Sequence, residues 1–200
     1  MPLMSSVKNT VMEGREFNSI EVSYLLGIAQ QSIEHGLATG GPVNVDPAVI
    51  PPGLEMNGTC FVTLKLAGQL RGCIGNLSGS GSLLDGIASN AYQAAFKDPR
   101  FSPVSREDVE QLEIEISVLT PMQSLPVKSN AELLGKLRPG IDGLVFIAGD
   151  KQATFLPSVW EQLPDAAAFV ARLKQKAGLA ADFWSDDVRC EVYQAIKIAH

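Results

Sequence analysis

The chain has 200 residues, a formal charge of −6 and 46% hydrophobic residues, enough to bury a core without disulfides or metal and too acidic to bind a phosphate backbone unless its few cations cluster. No apolar run approaches the ~18 residues of a membrane span, and the N-terminus lacks the basic and apolar regions of a signal peptide. Three cysteines cannot form a disulfide framework without leaving one over, which predicts a reducing, cytoplasmic setting.

In chain order, residues 1–16 are polar and aperiodic and read as a flexible leader. Residues 17–200 read as a single domain. Asn18 and Glu21 form a capping box, with Phe17 and Val22 at staple positions, so a helix starts there. Ile20, Tyr24 and Ile28 continue it at helical spacing, and Gly36 is the predicted stop. Residues 38–58 form a long Pro/Gly-punctuated segment. Thr59–Leu66 reads as a strand, Ala67–Gln69 as a turn and Leu70–Ile74 as the returning arm of a hairpin. Ser82 starts a second helix with a small-residue face (Ala88, Ala91, Ala94, Ala95), ended by Asp98-Pro99. Leu112, Ile114, Ile116 and Val118 alternate with polar residues as a half-buried strand. Ser129 starts a short helix. A hairpin turns at Gly149-Asp150, Asp165 caps a last helix stopped at Gly178, and Val188–Val192 alternates as a final strand. Hairpins outnumber βαβ units, so the class is α+β, a largely antiparallel sheet with flanking helices.

Common signatures are absent. The glycines from Gly79 to Gly86 miss the dinucleotide spacing. There is no phosphate-binding P-loop and no G-x-S-x-G elbow. Cys60, Cys73 and Cys190 lack C-x-x-C spacing, and His35 and His200 are far apart, so neither a metal nor a cofactor is predicted.

Leu70-Arg71-Gly72-Cys73-Ile74-Gly75-Asn76 stands out chemically. Gly72 and Gly75 permit a sharp turn or let a ligand approach the backbone. Amides there are candidates to cradle a developing oxyanion, and an Arg71 turned toward Cys73 would favour thiolate. The plainer alternative is a buried cysteine with glycines marking a bulge. Asp98 can cap or pair locally, and Arg100 can reach a carboxylate or phosphate. Trp160 is assigned to packing.

At LRGCIGNL, AAFKDPRFSPV, LEIEISVLTP, GIDGLVF, ATFLPSVWEQLP and LKQKAGL the chain resembles the AMMECR family, whose bacterial members are called AmmeMemoRadiSam system protein A. The match runs from about Ser19 to Tyr193. The resemblance implies an α+β fold with a larger and a smaller lobe and a cleft between them. It places Arg71, Gly72, Cys73, Ile74 and Gly75 at that cleft, with Asp98 and Arg100 as further candidates. It also implies partners in trans, a Memo-like protein of the extradiol dioxygenase fold and a radical S-adenosylmethionine protein, and suggests nucleobase or RNA modification.

Two readings of function follow. In a thiol-dependent enzyme Cys73 is the nucleophile, Arg71 assists it, and Gly72, Ile74, Gly75, Asp98 and Arg100 bind substrate. Because a partner histidine is lacking, Asp98 or Asp142 would have to serve in its place. In a non-catalytic ligand-binding or adaptor module Cys73 is packing and the arginines serve recognition. Direct nucleic-acid binding is disfavoured by the charge.

Overall fold

A computed structural model describes residues 15–77 and 81–199. In chain order it comprises α1 (Ser19–Thr39), β1 (Cys60–Leu66), β2 (Gln69–Gly75), α2 (Leu83–Phe96), α3 (Arg106–Val109), β3 (Leu112–Leu119), β4 (Gln123–Ser124) and α4 (Asn130–Lys136). Then follow β5 (Gly143–Ala148), β6 (Lys151–Phe155), α5 (Ala166–Lys176), β7 (Arg189–Tyr193) and β8 (Ala195–Ile198). The strands form two four-stranded sheets, β2-β1-β3-β8 and β4-β7-β5-β6. The class is α+β, with antiparallel pairing throughout the first hairpin and its β3 neighbour.

Among the described residues two compact units result: those up to Thr120 with those from Ile196 onward, and Pro121–Ala195. In the first, α1 packs on α2, and α2 packs on β1 and β2. The inward residues of β1 and β3 (Val62, Leu64, Ile116, Val118) are fully buried with Ile33, Leu84 and Ile87 from the helices. That alternation is the period-2 pattern of a sheet with one apolar face. In the second, α5 packs on β6. Trp160 stacks on Phe169 with centroids 3.8 Å apart and donates its indole N–H to the Asp142 carbonyl at 2.7 Å.

Local signals explain several element ends. The capping box at Asn18 forms: its Oδ1 accepts from Ile20 and Glu21, and the Glu21 carboxylate accepts the Asn18 N–H. Ser82, Ser129 and Asp165 cap α2, α4 and α5. The first helix does not stop at Gly36. It runs to Thr39 and ends at Gly40 in the left-handed region, φ 78°. Gly36 serves close packing instead, because a Cβ there would collide with the rings of Tyr92 and Phe96. Residues 1–14 of the expected leader and His200 lie outside the described residues. Arg15, assigned to that leader, is tied down by Glu21 Oε1 and the Gly53 carbonyl, each at 2.8 Å.

Candidate functional site

Strand β2 is an edge strand, so one side of its backbone needs partners other than a neighbouring strand. The turn following α2 supplies them. Asp98 Oδ2 accepts the Cys73 N–H at 2.9 Å, and Arg100 Nη2 donates to the Cys73 carbonyl at 3.3 Å. The two side chains are themselves joined. Arg100 Nη2 meets Asp98 Oδ2 at 2.7 Å, while Arg100 Nε and its main-chain N–H donate to Asp98 Oδ1 at 3.0 and 3.1 Å. Asp98 is 4% exposed. The Arg100 guanidinium, and then the Cys73 and Arg100 amides, hold its carboxyl well below the usual carboxylate range against the cost of burial.

Asp98 therefore pairs locally with Arg100, as the sequence allowed, and the pair closes on both sides of one peptide. Cys73 is half-buried, whereas Cys60 and Cys190 are buried, and burial pushes both of their thiols up to about 11. The Thr63 hydroxyl lies 3.4 Å from Cys73 Sγ. Thr63 also faces Glu115 across the sheet. Glu115 Oε2 binds Lys197 Nζ at 2.8 Å and Lys65 Nζ at 3.4 Å. A polar row thus runs from the thiol across the sheet face opposite α2.

Two geometric expectations for this segment change. Arg71 does not turn toward Cys73. The register shifts between Leu64 and Lys65, which pair with Gly72 and Leu70, so Arg71 is the extra residue of a bulge. Its guanidinium donates to the Ser102 carbonyl at 2.5 Å and the Pro103 carbonyl at 3.2 Å, and reaches Asp108 Oδ2 at 3.4 Å. The glycines do not form an anion cradle. A Cβ on Gly72 would collide with the Ala94 carbonyl of α2, and one on Gly75 with the Phe61 ring and the Cys60 carbonyl. Both are required by close packing, and the Cys73 amide already has the Asp98 carboxylate as acceptor. Ile74 lies opposite Val62 and packs partly buried on the core.

The remaining candidates sit elsewhere. The Asp142 carboxylate is taken by the Arg138 guanidinium and main-chain N–H. His35, near the end of α1, contacts the Thr39 hydroxyl and Gly41 carbonyl. Among the described residues no cluster of three metal-ligating side chains occurs, and no helix is long and apolar enough to cross a membrane. Sequence reasoning missed Thr63. A regular two-residue turn at Ala67-Gly68 would set it opposite Gly72, and the bulge at Arg71 moves it opposite Cys73.

The AMMECR1 family model matches residues 26–198. A protein of Methanothermobacter thermautotrophicus is 36% identical over 173 residues, which cover 86% of this chain and 90% of that protein. One of Nanoarchaeum equitans is 35% identical, covering 84% and 93%. The crystal structure of an uncharacterized protein from Pyrococcus horikoshii superposes with a TM-score of 0.80 at 32% identity, covering 87% of this chain and 88% of that one. The chain belongs to the AMMECR1 family.

Proposed function

We propose that this AMMECR1-family chain is a thiol-dependent enzyme with Cys73 as its nucleophile. One observation carries the reading: an ion pair between the buried Asp98 carboxylate and the exposed Arg100 guanidinium grips the amide and the carbonyl of Cys73 while its thiol stays half-buried beside the Thr63 hydroxyl. Burying the Asp98 carboxylate is costly unless it is paired and hydrogen-bonded. Here it fixes one reacting group's backbone, the preorganisation that catalysis requires. Asp98 and Arg100 act in this reading as positioning residues. Arg71 positions too, tying the Ser102-Pro103 segment and Asp108 to β2. Memo-like and radical S-adenosylmethionine proteins as partners in trans, a substrate in nucleobase or RNA modification and a cytoplasmic setting belong to the same proposal, and their support is the family resemblance.

The second reading, a non-catalytic binding or adaptor module, is favoured by the side chain at the sulfur, a hydroxyl rather than an imidazole or carboxylate. The two readings separate on covalent trapping. The folded protein is incubated with a panel of electrophilic metabolites and read by intact and peptide mass spectrometry, with Cys73→Ser as control. The enzyme reading expects one adduct, on Cys73, absent from the variant. A panel that leaves Cys73 unmodified while ligands still shift the melting temperature favours the binding module.

A further inference from the structure

The guanidinium of Arg100 keeps donors in reserve beside the strand that carries the thiol. Such a group has five N–H bonds. Nε donates to Asp98 Oδ1 at 3.0 Å, and the two hydrogens of Nη2 serve Asp98 Oδ2 at 2.7 Å and the Cys73 carbonyl at 3.3 Å. Among the described residues neither hydrogen of Nη1 has an acceptor, and the side chain is half exposed. The group is also held still. Asp98 takes one edge, the Cys73 carbonyl takes the next, and the Phe101 ring covers one face with its centroid 5.3 Å away. Its side-chain freedom is lost on folding, so a ligand at Nη1 does not bear that cost.

The local charge suits an anion. Each oxygen of the buried Asp98 carboxylate already accepts two N–H groups, so its charge is directed inward while the guanidinium faces solvent. The last turn of α2 lies beside it, but main-chain N–H groups of Lys97 and Val104 take the Gln93 and Ala95 carbonyls, which weakens the negative pole of the helix. The exposed Lys97 adds a second cation. The bond to Asp98 raises the pKa of Arg100, and charge on Cys73 raises it further through space. Sulfur and guanidinium are therefore electrostatic neighbours.

We infer that Arg100 receives an oxyanion of the substrate, so that the substrate of Cys73 is an electrophile carrying a carboxylate or phosphate group. The inference rests on the thiol-enzyme reading above and gives it a substrate class. Arg100 then has two duties. One edge positions the peptide of the nucleophile, and Nη1 draws the charged end of the substrate to it. A neutral electrophile of the same shape leaves Nη1 to water.

The test compares iodoacetate with iodoacetamide on the full chain at constant ionic strength. The two reagents differ in charge at nearly equal shape. With either, the thiolate sulfur bonds the methylene carbon, the C–I bond breaks, iodide leaves and the thiol proton goes to buffer. Rates at Cys73 are followed by peptide mass spectrometry, in native conditions and in urea. The ratio of the iodoacetate rate to the iodoacetamide rate is expected to be about tenfold higher in the native chain. Arg100→Gln should return the ratio to its value in urea, and Arg100→Lys should keep part of the preference. A native ratio equal to that in urea, or a raised ratio that survives Arg100→Gln, would overturn the inference. If Cys73 resists both reagents, the thiol-enzyme reading fails, and the ¹⁵N-labelled natural chain decides the anion site by itself. A saturable shift of the Arg100 Nε–H resonance with acetate or inorganic phosphate upholds the site and identifies the oxyanion, and no shift with either overturns it.

Discussion

The Asp98 carboxylate accepts the main-chain N–H of Cys73 at 2.9 Å. A side chain from the turn after α2 therefore does for the edge strand what a neighbouring strand would do, and Arg100 completes it at the Cys73 carbonyl. The arrangement ties the stability of the fold to the placement of its one half-buried thiol.

Removing Asp98 leaves the Cys73 amide without its acceptor and Arg100 without its partner. Asp98→Ala should lower stability by about 3 kcal/mol, measured by urea unfolding at pH 7. Arg100→Ala should cost less than breaking the pair from the buried side, because the side chain of Arg100 is 54% exposed against 2% for Asp98.

Acid should act through the same group. The folded pKa of Asp98 is depressed, so its contribution is fully present above the unfolded value of about 4. It is lost as pH falls from there toward the folded value. Urea unfolding at pH 7, 4 and 3 should show a smaller loss below pH 4 in Asp98→Asn than in the natural chain. An equal loss would mean that other carboxylates dominate.

Glycine substitutions should separate close packing from open space. Gly72→Ala drives a Cβ into the backbone carbonyl of Ala94, which cannot move without displacing α2, and should cost more than about 2 kcal/mol. Gly135, in α4, has nothing within 4 Å of its Cβ position. Gly135→Ala should raise stability by roughly 0.5–1 kcal/mol through helix propensity alone. Thermal melts of the two variants should move in opposite directions.

Lys174 offers a test in the second unit. It is fully buried, donates to Asn130 Oδ1 at 2.7 Å and lies over the rings of Phe146 and Trp184. Burial lowers its pKa, so the unfolded chain holds the proton to higher pH. Stability should then rise as pH climbs from the folded value toward about 10.4, where the unfolded lysine titrates. Lys174→Met should remove that alkaline rise and be at least neutral at pH 7. Asn130→Ala should destabilise, because it leaves the ammonium without its oxygen.

Local chemistry was the legible part of this chain. The Asn18–Glu21 capping box, the serine caps and the alternation from Leu112 to Val118 each depend on neighbours within a few residues. The elements they mark lie where the spacing puts them. What depended on tertiary partners was not legible. Gly36 resembles a helix stop in sequence, yet two aromatic rings of α2 decide its role. The division of the strands into two sheets, with β8 returning to the first, carries no local signal. The Arg71 bulge shifts the β1–β2 register by one residue. That shift brought Thr63 rather than Arg71 to the sulfur of Cys73. Asp98 and Arg100 were identified as candidates, but their joint grip on one peptide depends on where α2 ends against β2.

The most direct test of the central claim is the alkylation rate of Cys73 in the folded chain, followed by peptide mass spectrometry with Cys60 and Cys190 as internal references. The account predicts that Cys73 is modified in the native protein at least as fast as in urea, and that Cys60 and Cys190 react only on unfolding. It further predicts that Asp98→Asn, still folded, slows Cys73 selectively. A Cys73 that stays protected until global unfolding, alongside Cys60 and Cys190, would contradict a held and accessible nucleophile.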